Sequence, residues 1–380
     1  MNRNILALDF GSGKITAALS AYDDETNTLR VRRTLQEPCV GINGSVILDL
    51  KGAERALSKI FADISEYVSF NPSVVVGVRG NFLSFLHTSG TKFREANLRP
   101  ITQKDVDEAI NNSIPTNLNE NLEVLDVLPT GYMLDSQPRI DPLDLRGFYL
   151  EADTFITFAL KTQLQNLNCM LEDCECTDYA AFPASVALAQ TLMRPEEKKN
   201  TTLFLDIGGT NTSALLYHKG SILQGWEMPL GAEIIVQEVA DILQSDLDST
   251  RKTLSQYEYG DDEIVDDVLD EASKKLMKAI KKELLNSVDY LKFPPTSAVL
   301  SGGGTGESVR EAAKNVFNLR KARLAVCEDL IPDAEGKEAV FATVIALTHH
   351  YLEREMTEAV HSAKKEDSFL GGLLSRFGFN

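Results

Sequence analysis

Basic residues are scarce in this chain. Lys and Arg number 38 against 56 Asp and Glu, which leaves a formal charge of −18, and no basic run offsets the excess. Nucleic acid is thereby excluded as a partner, because a polyanion needs a basic face. Cysteines are few and odd in number, five in all, with Cys169, Cys174 and Cys176 crowded together. That is not a disulfide framework, and the C-x₄-C-x-C spacing lacks the second Cys or His pair of a zinc site, so reduced thiols are expected. No apolar run reaches the ~18 residues of a membrane-spanning helix, and Met1 leads straight into ILAL with no apolar signal core. Those absences predict a cytoplasmic chain. What is present is 43% hydrophobic residues over 380 positions, enough for true cores in roughly two or three domains.

Two stretches echo one another. LALDFGSGKITAAL at 6–19 and FLDIGGTNTSALLY at 204–217 each set apolar residues ahead of an Asp, follow it with glycines and hydroxyls, and return to an apolar run. The pattern predicts a β-hairpin with a polar tip. Gly11 and Gly13, or Gly208 and Gly209, would let backbone N–H groups crowd against an anion, with Ser12, Thr210 and Thr212 adding hydroxyl donors. Asp9 and Asp206, at the strand ends, would meet the Mg²⁺ of a polyphosphate, usually through water. One such hairpin is more often a plain glycine turn. Two, nearly two hundred residues apart, point to duplicated domains closing on one nucleotide.

The rest of the chain reads as α/β. Residues 1–81 give the first hairpin, strands LRVRRT and SVILDL, a helix near 52–68 and the buried strand VVVGVR. Residues 82–165 change character: ITQKDVDEAINNSI starts on the hydroxyl of Thr102 with helical spacing, while LEVLDVLPTGYML and FITFALK alternate like strands. This is expected to be a separate inserted α+β unit. Residues 166–200 return to the first domain through a helix and YAAFPASVALAQTLM, and 201–335 form the second domain. There GAEIIVQEVADIL and DEIVDDVLDEASKKLMKAIKKELLNSVDYL are amphipathic helices, the acidic run serving as a solvated face. AVLSGGGTGESVREAAKNVF places Gly302, Gly303 and Gly304 between a strand and a helix. Side-chain-free backbone there suits a planar base, although a helix-entry turn alone would use the same residues.

The order phosphate, phosphate, base resembles the actin-like ATPase superfamily. The insertion, with LEVLDVLPTGYMLDSQPRIDPLDLRGFYLEADTFIT followed by FPASVALAQTL and LFLDIGGTNT, resembles the FtsA branch, whose members tether FtsZ filaments to the membrane in bacterial division. The resemblance covers most of residues 4–350 and implies a two-lobed fold binding ATP with Mg²⁺. By it, Asp9, Gly11, Ser12, Gly13 and Lys14 cradle phosphate from one side. Asp206, Gly208, Gly209, Thr210 and Asn211 do so from the other, and Gly302, Gly303 and Gly304 flank adenine. It further implies polymerisation through the insertion, the C-terminal tail of FtsZ as partner, a return helix at 336–352 and a linker at 353–367.

Several residues depart from the pattern. Thr210 stands where the superfamily usually has a third glycine, giving DIGGT, a string of some sugar kinases. Thr253 and Gln256 stand where a Glu and a Lys face ribose. Phe182 precedes Pro183 where DnaK and MreB carry a water-orienting Glu, so hydrolysis should be slow or absent. The segment after Gly260 is too short for the FtsZ-facing strands, and KKELLNSVDYLK is closer to the pilus-assembly relative PilM. A sugar or acetate kinase would need a carboxylate base, and none stands out. The tail SFLGGLLSRFGFN gathers Phe369, Leu370, Leu373, Leu374 and Phe377 within about 140° of helical arc, which predicts a helix lying on the inner face of the cell membrane.

Overall fold

The computed structural model describes residues 2–67, 72–94, 99–325 and 340–356. β1 (Asn2–Phe10), β2 (Ser12–Asp23) and β3 (Thr28–Asn43) form an antiparallel meander, with the short β4 (Val46–Ile47) at its edge. α1 (Leu50–Ser65) covers one face through Ala53, Leu57, Ile60 and Ile64. β5 (Ser73–Val78) then lies parallel to β1. Both faces of β1 are buried. Leu6, Leu8 and Phe10 pack toward α1, while Ile5 and Ala7 pack to the opposite side, as the two-residue side-chain period demands.

An inserted unit follows at once. β6 (Leu83–Phe93), α2 (Gln103–Asn111), β7 (Leu122–Leu134), β8 (Gln137–Arg139) and β9 (Tyr149–Leu160) build a four-stranded antiparallel sheet in the order β6-β9-β7-β8. Asp105 secures the start of α2. It accepts from the N–H and hydroxyl of Thr102, both 2.9 Å, and pairs bidentately with Arg99 at 2.8 Å. Gly90 is required opposite α2, since a Cβ there would meet Ala109 O and Ser113 N at 2.2 Å.

α3 (Lys161–Asp173) and β10 (Tyr179–Pro183) return to the first sheet, β10 lying parallel to β5. α4 (Ala184–Leu192) and α5 (Pro195–Lys199) lead to the second lobe. β11 (Thr202–Ile207), β12 (Thr212–His218) and β13 (Ser221–Met228) repeat the meander. α6 (Glu233–Leu243), α7 (Leu247–Leu254), α8 (Glu263–Leu284) and α9 (Val288–Lys292) precede β14 (Ser297–Ser301), α10 (Glu307–Val316) and β15 (Lys321–Leu324).

The two main sheets have one topology. The orders β10-β5-β1-β2-β3 and β15-β14-β11-β12-β13 each join an antiparallel meander to two parallel strands. α4 and the helix at 340–356 lie between the sheets. Val186 and Ala346 share a cluster with Phe204 and Leu215, while Ala187 and Ile345 share one with Ile5 and Val75. A helix apolar on every side has to be buried on every side, and the small residues of α4 let both lobes approach it.

Three local expectations shift. SVILDL is strand only at Val46–Ile47, because Leu48 and Asp49 both donate to Gly41 O (2.8 and 3.0 Å) and turn the chain into α1. The first helix spans 50–65 rather than 52–68. The long helix divides at Ser287, whose hydroxyl accepts from Tyr290 N–H and starts α9. Among the described residues, 229–296 holds helices and no strand, and no helix is long and apolar enough to cross a membrane.

Candidate functional site

The hairpin tips are built alike. Gly11 N–H donates to Lys14 O at 2.9 Å and Gly208 N–H to Asn211 O at 2.8 Å. Asp9 stands opposite Thr16 and Asp206 opposite Ser213. Gly13 needs its glycine for φ +80°, whereas its counterpart Thr210 keeps a negative φ, so a side chain is permitted there. That side chain joins the lobes. Thr210 Oγ1 gives its one proton to Asn43 Oδ1 at 2.6 Å and therefore accepts from Ser12 Oγ at 2.7 Å, with Asn211 Nδ2 a further donor at 3.1 Å. The second tip is braced from below, Ala232 and Glu233 donating their N–H groups to Gly208 O and Gly209 O at 2.9 and 2.8 Å.

Arg79, at the end of β5, lies between the two aspartates. Its Nε is 2.9 Å from Asp9 Oδ1, Nη1 is 3.2 Å from Asp206 Oδ2, and Nη2 donates to Thr343 Oγ1 at 3.1 Å. Burial works against its charge, but Asp9, Asp206 and Glu227 outweigh burial and hold its pKa above the ordinary arginine value. Burial raises Asp9 above the usual carboxylate range, with Arg79 opposing. Lys14, near Asp9, is lowered chiefly by burial. Glu227 of β13 is pushed up to about 7 by burial, and accepts from Ser213 Oγ at 2.8 Å and Ser185 Oγ at 3.4 Å.

The sequence-expected residues divide into two groups. Asp9, Ser12, Lys14, Asp206, Gly208, Gly209, Thr210 and Asn211 meet around one cleft. Gly302 has φ +97°, and a Cβ there would strike Ile207 O at 2.4 Å. Gly304 packs on Ala232 and on the backbone of Ile207 and Gly208, while Gly303 faces open space. Of that triplet only Gly303 leaves open space where a side chain would stand. The Asp9–Asp206 pair does not fit a Mg²⁺ held between its carboxylates, because the Arg79 guanidinium already stands there. The rings of Phe182 and His350 meet nearly at right angles with centroids 4.9 Å apart. Phe369, Leu370, Leu373, Leu374 and Phe377 lie outside the described residues.

Arg79, Asn43, Ser185 and Glu227 escaped sequence reasoning. Arg79 carried a signal, as a charge ending the buried run VVVGVR. The others are brought in by contacts between distant segments, Asn43 from the end of β3, Glu227 from β13 and Ser185 from the first turn of α4. A cavity of about 740 Å³, bordered by Phe61, Val74, Cys174, Cys176, Tyr179 and Tyr351, opens at the starts of β5 and β10, away from the aspartates. Burial raises the Cys176 thiol to about 11, and among the described residues no His, Cys, Asp and Glu group is arranged for a metal. The thiols there stay protonated.

Duplicated sheets of this topology, with an Asp and a glycine hairpin at each facing end, define the actin-like ATPase fold. Solved structures agree. The PilM-PilN type IV pilus biogenesis complex superposes with TM-score 0.61 over 92% of this chain and 98% of that one, at 13% identity. MreB 5 of Spiroplasma citri bound to AMPPNP gives 0.53 over 95% and 99%, at 12% identity. In sequence the chain resembles FtsA. Residues 80–157 match the family described as the SHS2 domain inserted in FTSA. The cell division protein FtsA of Neisseria meningitidis is 23% identical over 98% of this chain and 97% of its own length. That of Bacillus subtilis is 24% identical over 71% of this chain and 62% of its own length.

Proposed function

We propose that this chain is an ATP-binding, actin-like division protein that polymerises on the inner face of the cytoplasmic membrane and tethers FtsZ filaments at the division site. One observation carries the nucleotide half: two copies of one strand-Asp-glycine hairpin face each other, with exposed Gly13 and Gly209 backbone beside Ser12, Thr210 and Lys14. Phosphate sits between the tips, held by backbone N–H groups and hydroxyls. The adaptor half is supported by the FtsA-type insertion, through which protomers associate, and by the apolar tail, which inserts weakly singly and firmly in a filament.

Catalysis is at most slow. Phe182 offers no oxygen to orient a water, and Glu227 is held between two serines. ATP binding is tested by calorimetry on the full chain, and the adaptor role by flotation with vesicles and a peptide of the FtsZ C-terminal tail. No heat with ATP removes the nucleotide half. Flotation unchanged by truncation after Ser362 removes the tail. A second reading, a PilM-like assembly protein, draws on the segment 229–296, which holds helices and no strand. It is favoured if ATP and vesicles bind while the FtsZ peptide does not.

A further inference from the structure

The strand registers isolate one place where the second lobe does not copy the first. Asp9 is paired across the sheet with Gly77, and Asp206 with Ser301. Two residues beyond each partner stand Arg79 in the first lobe and Gly303 in the second. At Gly303 nothing comes within 4 Å of an added Cβ. At Arg79 the same position sends a guanidinium across the cleft to the other lobe's aspartate.

The arginine is fixed rather than draped. Its backbone is clamped by buried Ser45, which donates its N–H to Arg79 O at 3.0 Å and accepts Arg79 N–H on Oγ at 3.1 Å. Gly44 and Gly80 give the left-handed turns around it, with φ +61° and +135°. Three nitrogens reach three separate elements, namely β1 through Asp9, β11 through Asp206 and the helix at 340–356 through Thr343. The Arg79 side chain is 15% exposed and those of Asp9 and Asp206 are 10% and 3%, and at that burial an unpaired carboxylate couple would be strongly unfavourable. Lys14 supplies a second positive charge beside Asp9. Asp9 and Asp206 thus have two resident cations beside them before any ion arrives, with Glu227 a third acidic neighbour of Arg79.

We propose that Arg79 is the built-in cation of this cleft, taking the place of a divalent metal between Asp9 and Asp206 and serving as the charge partner of a bound polyphosphate. A guanidinium suits the task, since its planar fork binds carboxylate and phosphate oxygens alike and stays charged when buried. The metal therefore becomes dispensable for ligand binding. The polyphosphate half of the inference rests on the nucleotide reading above, while the metal half does not.

Two titrations of the intact chain decide it. In the first, Mn²⁺ alone is titrated into nucleotide-free protein. Wild type shows no uptake at the cleft, and Arg79→Ala, with two carboxylates freed, gains one site. Uptake by wild type that Asp206→Asn abolishes overturns the proposal. In the second, ATP is titrated in excess EDTA and again in excess Mg²⁺. Wild-type affinity stays within about threefold between the two, and Arg79→Ala loses roughly tenfold or more in EDTA with recovery in Mg²⁺. Arg79→Lys, which keeps the charge without the fork, falls between and guards against a variant that fails to fold. Wild-type binding that collapses in EDTA sinks the proposal while leaving the nucleotide reading intact. No ATP binding under either condition removes the nucleotide reading and the polyphosphate role with it, and the Mn²⁺ result then judges the metal half alone.

Discussion

Gly303 and Gly304 are neighbours in sequence with opposite surroundings, so the same substitution should act oppositely at each. A Cβ on Gly304 would stand 2.8 Å from Ala232 Cβ, 2.9 Å from Ile207 O and 3.0 Å from Gly208 O. Two of those three are backbone atoms of the hairpin and cannot turn aside, so Gly304→Ala forces the second tip or the start of α6 to move. Overpacking of this kind costs about 1–3 kcal/mol. With an unfolding entropy of ~2.1 cal/mol/K per residue, near 0.8 kcal/mol/K for the whole chain, the melting temperature should fall by roughly 1–4 °C. Gly303 has no neighbour within 4 Å of its Cβ and no positive φ. Gly303→Ala should leave stability unchanged or raise it by about 0.4–1 kcal/mol, because the unfolded chain loses freedom. If a base lies on Gly303, the same methyl weakens ATP at least about tenfold, or 1.4 kcal/mol. Differential scanning calorimetry and ATP titration on the two variants separate the effects. A Gly303→Ala protein that melts below Gly304→Ala, or that binds ATP as wild type does, refutes the assignment of Gly303 to the ligand and Gly304 to packing.

Asp105→Asn should destabilise the protein by about 2 kcal/mol at neutral pH, the worth of a buried, charge-assisted pair. The Asp105 carboxyl is held down to about 2 by hydrogen bonds from Arg99 and Thr102 that prevail over burial. Its contribution is present above the unfolded value near 3.8 and is lost as pH falls toward 2, so denaturation curves of wild type and variant should converge there. Glu227 behaves in reverse. With its pKa raised to about 7, mainly by burial, its contribution is present below the unfolded value near 4.5 and is lost as pH rises through 7, so Glu227→Gln should gain on wild type between pH 5 and 8, and parallel pH profiles would contradict this. Thr210→Val removes the hydroxyl that joins Ser12 and Asn43 across the cleft and should speed amide exchange at both tips severalfold, at a cost of about 1–2 kcal/mol. Unaltered exchange there would mean that the tips are held by other contacts.

The duplicated framework was legible because it is written in local patterns. Apolar runs around Asp9 and Asp206 fix strand ends, paired glycines fix tips, and Thr102 fixes the start of α2. Long-range geometry was not legible. Arg79 acts on Asp206, far away in sequence, and Glu227 meets Ser185 only because β13 folds back beside the start of α4. The Gly302–Gly304 run shows three equal glycines in sequence, while the fold surrounds them differently, with Gly302 and Gly304 against backbone and Gly303 facing open space. The undivided helix expected after Asp262 failed for a local reason, because a serine at 287 starts a new helix as readily as it continues one.

The link from β5 to the inserted sheet is very short. Arg79 is followed by Gly80, Asn81 and Phe82, and Leu83 already begins β6. β6 carries Phe85, stacked on Phe155 of β9 at 5.5 Å and lying where a side chain on Gly225 of β13 would be. Asp126 of β7 pairs with Arg354 of the helix at 340–356, the helix that also presents Thr343 to Arg79. Arg79 and the inserted sheet are therefore joined by a three-residue connection and by one shared helix. Were binding at the two places coupled, thermodynamic reciprocity would make the effect run both ways. A partner that bound the inserted sheet and shifted β6 would, by that reciprocity, change the affinity of the cleft by the same factor as a cleft ligand changed the affinity for the partner.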